Sequence, residues 1–196
     1  MTIGLLILAG FLIILAMYFV GSYNEIIRFS NEFRNLFAQI DIQLQRRYEL
    51  IPNLVESAKK YLTHEEKTLT EVVNARNQAT QATKNLQNDL KNPQLFKAHA
   101  QAEGLLNKIL GQFNAVIENY PDLKADQTIQ NLMEELTSTE NKVTFARQAY
   151  NDSVMQYNNN IQQFPNYLIA GFFNFLPANL LIVEDPEVKK TLRVNF

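Results

Sequence analysis

From Ile3 to Val20 the chain is an almost wholly apolar run of Leu, Ile, Phe, Ala and Val, and the first charged side chain is Glu25. At a rise of about 1.5 Å per residue such a run spans about 27 Å as a helix, enough to cross the hydrocarbon core of a bilayer. Beyond it the pattern changes but does not break. Ile26, Phe29, Phe33, Leu36, Ile40, Leu44, Tyr48, Ile51, Val55, Ala58 and Leu62 recur three or four residues apart. That is one face of a continuing helix. Pro52 interrupts it and removes the N–H that would bond residue 48, but the apolar register survives, which predicts a bend rather than a stop.

Thr63-His64-Glu65-Glu66 reads as a capping box, with the Thr63 hydroxyl on the Glu66 N–H and the Glu66 carboxylate reaching back. A second helix is predicted from about His64 to Lys91. Asn92-Pro93 supplies a cap and a first-turn proline for a third helix, whose apolar face takes in Ala98, Ala102, Leu105, Leu106, Ile109, Leu110, Phe113, Val116 and Ile117. Tyr120-Pro121-Asp122 ends it. Asp126 caps a fourth, carrying Ile129, Leu132, Met133, Leu136, Val143, Ala146, Tyr150, Val154, Tyr157 and Ile161 up to Phe164-Pro165.

The expected fold is all-α: an N-terminal transmembrane helix continuing into an antiparallel four-helix bundle of long helices, since short connections make successive helices antiparallel neighbours. It divides into an anchor (1–22), a bundle (23–165), and an aromatic segment with an irregular C-terminal tail (166–196). The fourth helix is nearly as long as the first and should return close to the bilayer. The segment after its end is the most aromatic stretch outside the anchor. Tyr167, Phe172, Phe173 and Phe175 are its candidates for membrane-interface contact, with capping of the open bundle end and docking of a partner as competing readings.

Composition narrows the function. The net charge is −2 with lysines and carboxylates mixed along the chain, so there is no basic stripe for a nucleic acid. The absence of cysteine excludes disulfides, thiolate nucleophiles and zinc–thiolate sites. Arg28 and Arg34 follow the span closely, which favours an N-terminus outside and a cytoplasmic C-terminal domain in the cell membrane. Cleavage as a secretion signal at Val20-Gly21-Ser22 competes with retention, but the run is long for a signal core and no Lys or Arg precedes it. Gly104 and Gly111 lie one heptad apart and would permit close helix approach, within the bundle or between copies in a homo-oligomer.

Catalytic signatures are missing: there is no phosphate-cradling glycine loop, no dinucleotide fingerprint and no HExxH. No catalytic, cofactor-binding or metal-binding residue is assigned. Neither His64 nor His99 has a Glu three residues before it, as a di-metal bundle would require. His64 on a capped first turn is expected to be exposed. Arg46-Arg47 breaks the apolar face of the first helix. By helical rise Arg47, Glu140 and Arg76 fall near one level, predicting a semi-buried ionic layer, with a second pair, Asp41 and Arg147, a turn or two nearer the membrane. The competing role for this layer is capture of a small anionic ligand or lipid headgroup. A short match between residues 73–77 and 145–149 raises a duplicated hairpin, which chance explains as well.

Several strings together resemble the LemA family of bacterial membrane-anchored proteins. They are residues 43–55 (Gln-Leu-Gln-Arg-Arg-Tyr-Glu-Leu-Ile-Pro-Asn-Leu-Val), His64-Glu65, Ala75-Arg76, Tyr120-Pro121-Asp122-Leu123-Lys124-Ala125, Glu135-Leu136-Thr137-Ser138-Thr139-Glu140-Asn141, Ala146-Arg147-Gln148-Ala149-Tyr150-Asn151, Tyr157-Asn158 and Phe164-Pro165. In the tail only Val194 and Phe196 match. The resemblance implies a single-pass membrane segment and a helical bundle, with no enzymatic activity or cofactor established for the class. One branch is associated with forming magnetosome membranes. The function expected on all these grounds is that of a non-enzymatic scaffold or adaptor, with membrane lipids and a protein as partners.

Overall fold

Pro52 does not end the first helix. In a computed structural model describing residues 2–182, α1 runs unbroken over Thr2–Lys59, followed by α2 (Glu66–Asn88), α3 (Pro93–Glu118), a single turn α4 (Pro121–Lys124), α5 (Gln127–Gln162) and α6 (Asn166–Phe172). The described residues are all-helical, with no strand. The predicted tail positions Leu192, Val194 and Phe196 lie outside the described residues.

Several helix ends follow from local chemistry. Asn92 is the N-cap of α3, its side chain accepting from Gln94 N–H at 3.0 Å, with Pro93 at the first position, where a missing N–H costs nothing. Asp126 Oδ1 accepts from the N–H groups of Thr128 (2.8 Å) and Ile129 (3.3 Å) at the start of α5. Hydrogen bonds from Lys60 and Tyr61 to the same carboxylate hold it well below the usual range. The capping box at Thr63 does not form. Residues 61 to 65 are taken up by turns, with Tyr61 N–H on Ala58 O and Glu65 N–H on Leu62 O, so α2 begins only at Glu66 and no side chain caps it.

The chain packs as two compact units, and α1 and α5 supply residues to both. The first comprises residues 2–37 and 148–178. Ile26, Phe33 and Phe37 of α1 and Tyr150, Val154, Tyr157 and Ile161 of α5 are buried. Their ring pairs, Phe37 with Tyr150 at 5.8 Å and Phe33 with Tyr157 at 5.1 Å, run in opposite chain directions, so the two helices are antiparallel here. Toward its N-terminus α1 has no such cover. Ile3, Leu6, Ile14 and Met17 are 69–74% exposed, and no residue of the most apolar 18-residue window is buried. This helix is long and apolar enough to cross a membrane.

In the same unit α6 lies against α1. Asn166, buried, accepts hydrogen bonds from Ser22 Oγ and, at 3.4 Å, from Tyr18 OH. Phe173 packs on Tyr23 at 4.7 Å and on Phe19 at 6.1 Å. Asn174 then turns the chain at φ 56°, a left-handed conformation that Asn tolerates better than most residues. Tyr157 OH donates to Leu176 O (3.1 Å), and the Asn158 amide both donates to and accepts from the backbone of Ala178.

The second unit comprises residues 38–147 and 179–182 of the described chain. Its core is built from α1 (Ile40, Leu44, Ile51, Leu54), α2 (Leu69, Val72, Ala79, Leu86), α3 (Leu106, Leu110, Phe113, Ile117) and α5 (Ile129, Leu136, Val143). On α3 the buried positions are Phe96, His99, Glu103, Leu106, Leu110, Phe113 and Ile117, a strict three-and-four spacing. The expected face was wider than this one: Leu106, Leu110, Phe113 and Ile117 are buried as expected, whereas Ala98 and Leu105 are exposed. A Cβ added at Gly104 or Gly111 would meet nothing within 4 Å, so neither glycine serves close helix approach inside the fold.

Candidate functional site

At one level of the second unit, polar side chains from four helices replace the apolar core. Arg47 of α1 and Glu103 of α3 are each 1% exposed. Both occupy core-facing positions, Arg47 between Leu44 and Ile51, Glu103 between Phe96 and Leu106. Glu103 Oε2 accepts from Arg47 Nη1 and from Arg147 Nη2, both at 3.1 Å, and its Oε1 accepts from Tyr48 OH at 2.5 Å. Arg47 Nη2 donates to Asn107 Oδ1 and reaches Glu140 Oε2 at 3.4 Å. Tyr48 OH also lies 2.9 Å from Thr83 Oγ1 of α2, which donates to Ala79 O.

The electrostatics are balanced: two guanidiniums face two carboxylates. A buried charge must be paired, and here each buried charge has an opposite partner. Burial, reinforced by the Glu103 charge, pushes the Tyr48 phenol far up, so it stays protonated and donates. Burial also draws Arg147 down from its ordinary value, against the pull of Glu103. Beside this group His99, 2% exposed, has no partner for Nε2. Burial holds its imidazole down to about 4 although Glu103 pulls the other way. It is neutral near pH 7.

The predicted site residues fall out differently from one another. Arg47 and Glu140 meet, but Glu140 is the peripheral member, its side chain 47% exposed. Arg147 does not pair with Asp41: its partner is Glu103, while Asp41 bonds Gln87 and is raised above its usual carboxylate range by burial. Glu103, the centre of the group, was not foreseen. Its signal was its place in the α3 spacing, four residues after His99 and three before Leu106.

Arg76 has a separate task. Pro52 has no N–H to give the carbonyl four residues back, which is that of Tyr48. Arg76 Nε donates to Tyr48 O at 2.9 Å. A cation of α2 thus replaces the hydrogen bond that proline deletes from α1, and its Nη1 bonds Asn77. His64 is exposed. Among the described residues no group of three or more His, Cys, Asp or Glu could hold a metal ion. An open depression along α5, lined by Glu134, Thr137, Ser138, Asn141, Lys142 and Phe145, contains none of these arginines.

Similarity to known proteins points the same way as the contiguous strings in the sequence. Magnetosome protein MamQ 2 of Paramagnetospirillum magneticum is 26% identical over 190 residues, covering 88% of this chain and 68% of that protein. Protein LemA of Metamycoplasma hominis is 26% identical over 172 residues, covering 88% of this chain and 73% of its own length. Magnetosome protein MamQ of Magnetospirillum gryphiswaldense is 24% identical over 215 residues, covering 98% and 78%. The sequence pattern of the LemA family matches residues 36–196, which takes in the whole polar layer, and the chain belongs to that family.

Proposed function

We propose that this chain is a membrane-anchored, non-enzymatic scaffold or adaptor whose α1, α2, α3 and α5 form an antiparallel four-helix bundle beside the bilayer. The observation that carries this reading is the change of character along α1. Its first turns leave large apolar side chains uncovered, whereas the same helix from Ile26 onward buries a continuous seam. Residues 1–22 are the anchor and 23–165 the bundle. The chain crosses the cell membrane once, with its N-terminus outside and the bundle in the cytoplasm; Arg28 and Arg34 after the span support that orientation. Its partners are membrane lipids and a protein that the exposed helix faces recognise; nucleic acid is not one of them. Likeness to proteins named for the magnetosome supports a part in organising membranes.

The polar layer fits a structural role better than capture of an anion. Both Nη groups of Arg47 are engaged by protein side chains, and the positive and negative charges balance. Such layers set helix register. The reading is tested by alkaline extraction of native membranes, intact-mass measurement and proximity crosslinking from the bundle. The expected outcome is a full-length chain that stays with the membrane and crosslinks to a specific protein. A released chain lacking its first two dozen residues would overturn it.

A further inference from the structure

Asn166 is a buried polar residue whose hydrogen-bond donors, Ser22 and Tyr18, both belong to the last turns of the apolar part of α1. This fixes α6 at a definite height. The apolar run ends near Val20 and the first charged side chain is Glu25, so if α1 crosses a bilayer, residues 18 to 23 stand where hydrocarbon gives way to headgroups. Phe19 and Tyr23 hold Phe172, Phe173 and Phe175 at that same height, at ring separations of 4.7–6.5 Å.

The inner side of α6 is satisfied by the protein: Asn166, Ile169 and Ala170 are buried. Its outer side is not. Phe164 and Phe172 are each 78% exposed, and Leu168, midway between them in the chain, is 53% exposed, with Tyr167 beside it. Leu168 and Phe172 lie four apart within α6 and share one helix face, a short apolar strip, while Phe164 is exposed in the turn before α6. No charged residue occurs from Ser153 to Ile182.

We infer that α6 is a second membrane-contacting element, lying in the interfacial zone of the bilayer with Leu168 and Phe172 turned into the lipid. The inference rests on the reading of α1 as a membrane span. An interfacial helix sinks its apolar face roughly 5–10 Å into the boundary between headgroups and acyl chains, and a strip held level with Tyr18 to Tyr23 is at the right depth. The strip has no Lys or Arg, so its lipid contact is apolar and indifferent to anionic headgroups. Asn166 acts as the latch that keeps α6 at this height.

The chain has neither Trp nor Cys, which makes single-tryptophan reporters clean. Full-length L12W, F172W and F145W variants are reconstituted into phosphatidylcholine vesicles brominated on the acyl chain either near the headgroup or near its end. L12W is expected to lose emission mostly to the deep bromines and F172W mostly to the shallow ones, while F145W, in the second unit, keeps its emission. Quenching of F172W should be the same when anionic lipid is added. If L12W is quenched and F172W behaves like F145W, the interfacial contact is wrong and the span stands. A blue-shifted F172W emission that no brominated lipid quenches means a second copy or another protein covers the strip, which also overturns the inference. An unquenched L12W overturns the span itself.

Discussion

If Arg76 replaces the hydrogen bond that Pro52 deletes, the two residues must be energetically coupled although neither is conventionally an ion-pair partner of the other. Arg76→Ala removes the Nε donor that sits 2.9 Å from Tyr48 O and leaves a partly buried carbonyl without its partner. Hydrogen bonds from charged donors contribute about 1.5–3 kcal/mol, and an orphaned buried acceptor costs about 1–3 kcal/mol. Because the contact is only partly buried, a loss of about 1–2 kcal/mol is expected. At about 2–4 °C per kcal/mol for a chain of this size, the thermal midpoint falls by about 2–8 °C. In a Pro52→Ala background the new N–H of residue 52 reaches the same carbonyl through the ordinary i to i−4 bond. There Arg76→Ala should cost about 1 kcal/mol less. The assay is helical circular dichroism at increasing temperature on the wild type, both single variants and the double variant in detergent. Additivity within about 0.3–0.5 kcal/mol, the usual agreement for independent sites, would refute the reasoning.

Glu103→Gln breaks a buried charge group at its centre, for which about 3–5 kcal/mol is typical; Glu140→Gln, half exposed and at 3.4 Å, should cost at most about 1 kcal/mol. Equal midpoints for the two variants would contradict the assignment of Glu103 as the hub. His99, held down to about 4 by burial, takes up its proton on unfolding between pH 6.5 and that value. Stability is therefore fully present above pH 6.5 and is lost as pH falls, at up to about 1.4 kcal/mol per unit. Chemical denaturation at pH 7 and pH 5 should show a larger acid loss for the wild type than for His99→Leu; the same loss in both would contradict this. Gly104→Ala and Gly111→Ala, placed in open space on α3, should each raise stability by about 0.5–1 kcal/mol. A lower midpoint for either would mean that another surface packs on that glycine.

Helices were legible because their causes are local. The apolar run before Glu25, the three-and-four spacing from Ile26 onward, Asn92-Pro93 and Asp126 each act within a few residues, so the linear pattern contains them. Membership of the family was legible for the same reason: its strings are contiguous. The capping box at Thr63 failed where local rules competed, since the turns bonded back to Ala58 and Leu62 took the residues first. The α6 helix was missed as a helix, though its aromatic character and its interest as a membrane contact were evident from composition.

Pairing across the fold was another matter. Levels counted from helical rise put Arg47 and Glu140 within reach of one another, because rise is a property of the single helix. They could not say which way a helix is turned about its axis. A rotation by about one residue, roughly 100° at 3.6 residues per turn, decides whether Glu103 faces solvent or two guanidiniums. The spacing of Leu106, Leu110, Phe113 and Ile117 carried the rotation of α3, and Glu103 falls on that face; that Arg147 meets it was settled only by packing. The sequence by itself determined that this is a helical protein with a bilayer-length apolar start. Only the tertiary structure decided which charges meet, because burial is shared among helices that are distant along the chain.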